Sequence, residues 1–258
     1  MDESYQAYLN RVARLILPAA YQSQWDNIQH SPKFARDVAG TSQPVKFPGY
    51  TVITPPGKAD AGNSELYQQL EACQTQLVEM LSPQLLVPIP SDSFHLTLAD
   101  LVWDSAYRDL TKANPEWEAQ LQEAIAQSFD RYRQLKPPTT PHKWEILGFM
   151  LMPRAIAVCL VPETVETYQQ VLELRRCIYQ NSSLMGLGIE QQYRLTAHIT
   201  LGYFDLAGDR APQVPPLSDL NQELLDPLPL FSLSQVQLCK FDDMTSYYRQ
   251  SDWATLEF

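Results

Sequence analysis

Two short stretches hold residues whose types and spacing could do chemistry: "SFHLTL" at 93–98 and "TAHITL" at 196–201. In each, a histidine is followed by an apolar residue, a threonine and a second apolar residue, and the chain has only four histidines. Side chains on a strand alternate faces, so His95 and Thr97 point one way, and His198 and Thr200 do the same on the second stretch. Two more residues along, these faces add Ser93 and Ala99 to the first set, and Thr196 and Gly202 to the second. The opposite faces, Phe94, Leu96 and Leu98 against Ala197, Ile199 and Leu201, read as core. One such stretch is an ordinary half-exposed strand; two among four histidines arise by chance at roughly one in a thousand.

The chemistry that suits this pair is proton transfer around a phosphodiester. One imidazole, with an ordinary pKa near ~6.5, takes the proton of an attacking water or hydroxyl, and the other gives one to the departing oxygen. Threonine hydroxyls can donate to the non-bridging oxygens, where charge spreads in the transition state. Ala99 and Gly202 are expected to leave room for the ligand. The local spacing adds no carboxylates to either histidine, so neither a metal nor another cofactor is expected. Arg194, four residues before His198, is a candidate phosphate ligand, with a solvated ion pair as the alternative. Tyr203 is a candidate to stack on a base, with core or rim packing as the alternative. His30 and His142 lie outside any motif.

The elements that must position these residues follow from periodicity and punctuation. A helix is expected from a Ser4 cap to Leu17, then loop through 31–49, a strand at 50–54 and a helix over 64–81. "LLVPIP" and "SFHLTL" read as strands, and Asn114-Pro115 opens a further helix. A hairpin is expected over 144–152 and 155–161, a helix over 164–179, then the strand "RLTAHITLGYF". Residues 212–228 read as proline-rich loop with a short helix at 218–225, before the closing strands "FSLSQVQLCKF" and "WATLEF", joined by the turn-like "DDMTS". Strand, helix and histidine thus recur in the same order. The histidines come 45 and 43 residues after the starts of their strands at 50 and 155, which predicts a duplicated unit.

Composition bounds the rest. A chain of 258 residues with 45% apolar content can bury a full core. There is no glycine-rich nucleotide loop. The net charge of −11 argues against a long nucleic acid as partner. The four cysteines are far apart and read as buried free thiols of a reducing compartment. No signal peptide or membrane span is expected, and the expected location is the cytoplasm.

At His95-Leu96-Thr97-Leu98 and His198-Ile199-Thr200-Leu201 the chain resembles the two-histidine (2H) phosphoesterases, a superfamily recognised by two such motifs. The resemblance implies an α+β, bilobal fold. Two antiparallel-type sheets with outer helices would flank a central groove, related by an internal pseudo-twofold. It also implies a 46–258 domain with lobes of about 46–150 and 151–258, preceded by a helical extension over 1–45. The activity implied is hydrolysis of a 2′,3′-cyclic nucleotide or similar small nucleotide phosphate. His95 and His198 would be catalytic, and Thr97, Thr200, Ser93, Thr196, Arg194 and Tyr203 substrate-binding. A binder of such ligands without turnover, or an RNA-end-processing exonuclease, is the alternative.

Overall fold

The structure, a computed structural model, describes residues 2–81, 84–135, 141–206, 214–224 and 228–258. Helix α1 (Tyr5–Leu15) starts where the Ser4 hydroxyl accepts from the Ala7 amide at 3.2 Å, a cap worth about 1 kcal/mol. Pro18 ends the first helical run but also opens a second, α2 (Pro18–Trp25), because its fixed φ and missing N–H suit a first turn. Strands β1 (Phe34–Arg36) and β2 (Ser42–Pro44) form a small hairpin within the expected loop. Then come β3 (Gly49–Ile53), α3 (Ser64–Leu81), β4 (Leu86–Pro88) and β5 (Thr97–Trp103).

Asp104, with a left-handed φ of 51°, turns the chain from β5 into α4 (Asp104–Ala113), a helix absent from the expected elements. After it, α5 (Trp117–Leu135), β6 (His142–Met152), β7 (Ala155–Pro162) and α6 (Val165–Tyr179) match the expected helix, hairpin and helix. The chain continues through α7 (Ser182–Gly186), β8 (His198–Phe204), α8 (Leu217–Leu224) and β9 (Phe231–Leu233). It closes with β10 (Gln235–Asp243), β11 (Ser246–Tyr248) and β12 (Thr255–Glu257). Residue 225, the end expected for the short helix, lies outside the described residues.

The fold is α+β, with eight α-helices and three antiparallel sheets among the described residues. The first large sheet runs β11-β10-β3-β5, with β12 also on β10; the second runs β4-β8-β7-β6-β9. Each large sheet receives one histidine motif. The sheets exchange strands, which differs from contiguous lobes over 46–150 and 151–258. β4 and β6 come from the first span yet sit in the second sheet, and β10 to β12 return from the second span to the first sheet.

The described part of the expected extension, residues 2–45, packs into the same core. Tyr8, Val12, Tyr21 and Trp25 are buried. The Tyr8 hydroxyl donates to the Leu160 carbonyl at 2.8 Å, and that of Tyr21 to the Phe149 carbonyl at 2.6 Å, so α1 and α2 cover the second sheet. The four cysteines are buried and unbridged. Among the described residues no helix is long and apolar enough to cross a membrane.

Candidate active site

His95 lies just before β5, and His198 is the first residue of β8. The two are held alike. His95 Nδ1 donates to the Ser93 carbonyl at 2.6 Å, and His198 Nδ1 to the Thr196 carbonyl at 2.7 Å. Each ring therefore spends Nδ1–H on the backbone two residues upstream, which fixes the neutral tautomer and leaves Nε2 as the free nitrogen. The rings are close enough for their charges to interact. Burial lowers the His95 pKa to about 4, and positive charge on His198 and Lys33 pushes the same way. Burial also lowers that of His198, opposed by its bond to Thr196 and by the carboxylate of Asp100.

The alternation expected along the motif strands holds only as far as the threonines. Thr97 pairs with Ile53 but Ala99 with Val52, so Leu98 is an extra residue in β5. Likewise Thr200 pairs with Ala157 but Gly202 with Ile156, which makes Leu201 an extra residue in β8. Such a bulge reverses the faces beyond it. Thr97 and Thr200 remain beside their histidines, half-buried, with hydroxyls that have no intramolecular partner among the described residues.

Beyond the bulges Asp100 and Tyr203 take the places expected for Ala99 and Gly202. Asp100 is half-buried beside His198 and accepts from the Tyr193 hydroxyl at 2.7 Å. Ala99 is instead fully buried. A Cβ on Gly202 would meet the Val87 carbonyl at 2.8 Å, so this glycine lets β4 pack on β8 rather than making room for a ligand.

The remaining expected ligands are placed differently from one another. The Ser93 side chain is buried and its hydroxyl donates to the Pro90 carbonyl at 2.6 Å. The Thr196 hydroxyl accepts from Arg11 of α1 at 2.8 Å; the same guanidinium donates to the Leu195 carbonyl and pairs with Glu3. Both residues thus serve their histidine through the carbonyl, with the hydroxyl engaged elsewhere. Arg194 is 58% exposed and lies 3.6 Å from Glu3, the ion-pair alternative. Tyr203 is buried, packed on Phe34 with ring centroids 5.6 Å apart.

Three side chains beside the histidines were not among the expected ligands. Tyr247 of β11, just past the turn-like "DDMTS" in a stretch assigned no element, sets its ring edge-on to His95 at 4.3 Å between centroids. Lys33, in the segment that reads as loop, lies 4.8 Å above the Tyr203 ring and acts electrostatically on both histidines. Asp100 is the third, hidden by the bulge. Among the described residues no group of three or more His, Cys, Asp and Glu is arranged to hold a metal ion.

Residues 37–142 match the family model 2H-phosphodiest, described as a domain of unknown function (DUF1868). A comparison with curated proteins finds no match. Among solved structures, a conserved protein of unknown function from Agrobacterium tumefaciens (ATU0111) is similar at TM-score 0.57 and 16% identity. That likeness covers 92% of this chain and 97% of the other, and shows a shared fold. Weaker likenesses are to E. coli LigT complexed with 3′-AMP (TM-score 0.40, 17% identity, 83% and 95% covered) and to TT0787 of Thermus thermophilus (0.41, 16%, 75% and 87%). The family match carries the first histidine motif, and the second motif is built the same way on the other large sheet, so the chain is similar to the two-histidine phosphoesterases over residues 37–142 and repeats that motif's geometry beyond them.

Proposed function

We propose that this protein is a metal-independent phosphoesterase that hydrolyses a small cyclic phosphodiester, such as a 2′,3′-cyclic nucleotide, with His95 and His198 as its acid–base pair. The observation that supports this reading is the matched tethering of the two rings. Each gives Nδ1–H to a carbonyl two residues upstream and keeps Nε2 for the ligand. A binder has no need of two such groups.

The surroundings favour opposite roles for the two rings. His95, its pKa pushed down to about 4, is neutral and is the base. His198, with the Asp100 carboxylate favouring its charged form, is the acid. In the proposed step His95 Nε2 takes a proton from water as the water oxygen bonds to phosphorus. The P–O ester bond on the opposite side breaks, and its oxygen takes the Nε2 proton of His198. One phosphomonoester results, and the two rings have exchanged proton states. Thr97 and Thr200 donate to the non-bridging oxygens as charge builds there.

The test is turnover of a panel of 2′,3′-cyclic mononucleotides in the presence of EDTA, with His95→Ala as control. Hydrolysis abolished in the variant is expected. Binding of the same compounds without turnover would establish a binding protein instead.

A further inference from the structure

We propose that Lys33, from the segment before the family-matched region, binds the anionic phosphate of the substrate, so that the N-terminal segment forms part of the site. This rests on the reading of the histidine pair as a phosphate site, and goes beyond it by naming the residue that supplies the counter-charge.

Two lysines are held in the same way. Lys240 lies over the rings of Tyr50 and Tyr107, at 5.4 and 5.3 Å, and its ammonium is neutralised by Glu118 at 2.6 Å. Lys33 lies over the rings of Phe47 and Tyr203, at 5.2 and 4.8 Å, with its Nζ 3.4 Å from the Tyr203 hydroxyl. It is half-buried and enters no ion pair among the described residues. Two rings can orient an ammonium, but they only partly replace the water it has lost. In the first cage a carboxylate completes the neutralisation. In the second no carboxylate among the described residues does so, and Tyr203, which holds the ammonium, shares the face of β8 that carries His198 and Thr200, which suits a ligand anion.

The lysine is also firmly placed. Its amide donates to the Ser31 hydroxyl at 3.4 Å and its carbonyl accepts from Val45 at 3.0 Å, while the Ser31 amide donates to the Phe204 carbonyl, at the end of the second motif strand, at 2.8 Å. None of these bonds uses the Lys33 side chain. Its charge also opposes protonation of both histidines. One cation suits a singly charged phosphodiester, and gives no track for a polymer backbone.

The experiment compares the full chain with Lys33→Met and Lys33→Arg. Affinity for inorganic phosphate and adenosine 3′-monophosphate is measured by calorimetry at low salt, and the histidine rings are titrated by NMR. Lys33→Met is expected to weaken nucleotide binding tenfold or more, to raise the pKa of both His95 and His198, and to lower kcat/KM mainly through KM. Lys33→Arg should restore most of the binding. Unchanged affinity together with unchanged histidine titration in Lys33→Met would overturn the proposal.

Protection of Lys33 from reductive methylation by saturating phosphate, read by mass spectrometry on the unsubstituted chain, tests the contact even if the methionine variant fails to fold. Absence of protection would also count against it. Phosphate binding that depends on Lys33 in a protein that hydrolyses no cyclic phosphate would uphold this proposal and remove the proposed activity. Hydrolysis indifferent to Lys33 would do the reverse.

Discussion

Gln74 on α3 and Arg175 on α6 hold equivalent places in the two halves, and each reaches across to the other half's motif. Both stand ten residues after the first residue of their helix, 64 to 74 and 165 to 175. Gln74 Nε2 donates to the Leu201 carbonyl at 2.6 Å and to that of Ile89 at 2.7 Å. Arg175 donates to the Leu98 carbonyl and, at 3.1 Å, to that of Tyr193. Leu98 and Leu201 are the bulged residues directly after the two motif threonines. A bulge disturbs the ladder, and these side chains add donors to its carbonyls, that of Leu201 also accepting from the Ile89 amide at 3.1 Å. The two helices therefore stabilise each other's motif geometry, which ties the halves into one unit.

Gln74→Leu should then lower the unfolding free energy by about 2 kcal/mol, since the Ile89 carbonyl loses its side-chain donor and the Leu201 carbonyl keeps only the Ile89 amide at 3.1 Å. Arg175→Lys should fail to restore the native geometry, because one ammonium cannot reproduce a planar fork directed at two carbonyls. Denaturant unfolding of both variants, with turnover measured alongside, checks this. Wild-type stability in both would show that the bulges are held by other means.

Replacing either His95 or His198 by alanine should reduce turnover by about 10²–10⁴ with the fold retained. The double variant should be hardly worse than the worse single one, since the groups act in the same step. Full activity in either single variant would remove that residue from the mechanism.

Stability and activity should both depend on pH in the acid range. The folded pKa of His95 is about 4, below the ordinary value of 6.5, so between these values the unfolded chain binds more protons than the folded one. His198 and His142 are shifted in the same direction by burial. Stability should therefore be complete above pH ~6.5 and decline as pH falls from there toward ~4. His95→Asn should flatten that decline. For the free enzyme kcat/KM should peak on the acid side of pH ~6.5, where His95 is neutral while His198 still carries its proton. A maximum above pH 8 would contradict these roles.

A short substrate should be handled nearly as well as a long one. Each phosphate gripped on a single strand contributes roughly 0.7 log units of affinity per log unit of salt, and one lysine suits one phosphate. A chain of net charge −11 repels further backbone. The comparison is kcat/KM for a 2′,3′-cyclic mononucleotide and for an RNA with the same terminus, at two salt concentrations. A hundredfold preference for RNA that collapses with salt would indicate a strand-binding surface.

What the sequence determined by itself was local: the two histidine–threonine motifs, the apolar faces beneath them, and helices with a buried stripe. Such features depend on neighbours within a few residues, so α3 matches the expected 64–81 and α6 begins after its Thr164 cap. α4 escaped notice because it is short and rests on the core through only two large apolar residues, the partly buried Tyr107 and Leu110. Asp100 and Tyr203 were misplaced for a different reason. Strict alternation assigns their neighbours to the motif face, and the bulges that reverse it arise from strand pairing and from donors on distant helices. Lys33 lies in a segment that reads as loop and Tyr247 just past the expected turn; they meet Tyr203 and His95 only when the hairpin docks and β11 pairs with β10. Nothing within several residues of any of these four encodes its position. Only the tertiary structure decided which charges surround the imidazoles, because those charges come from parts of the chain that meet only once both sheets have formed.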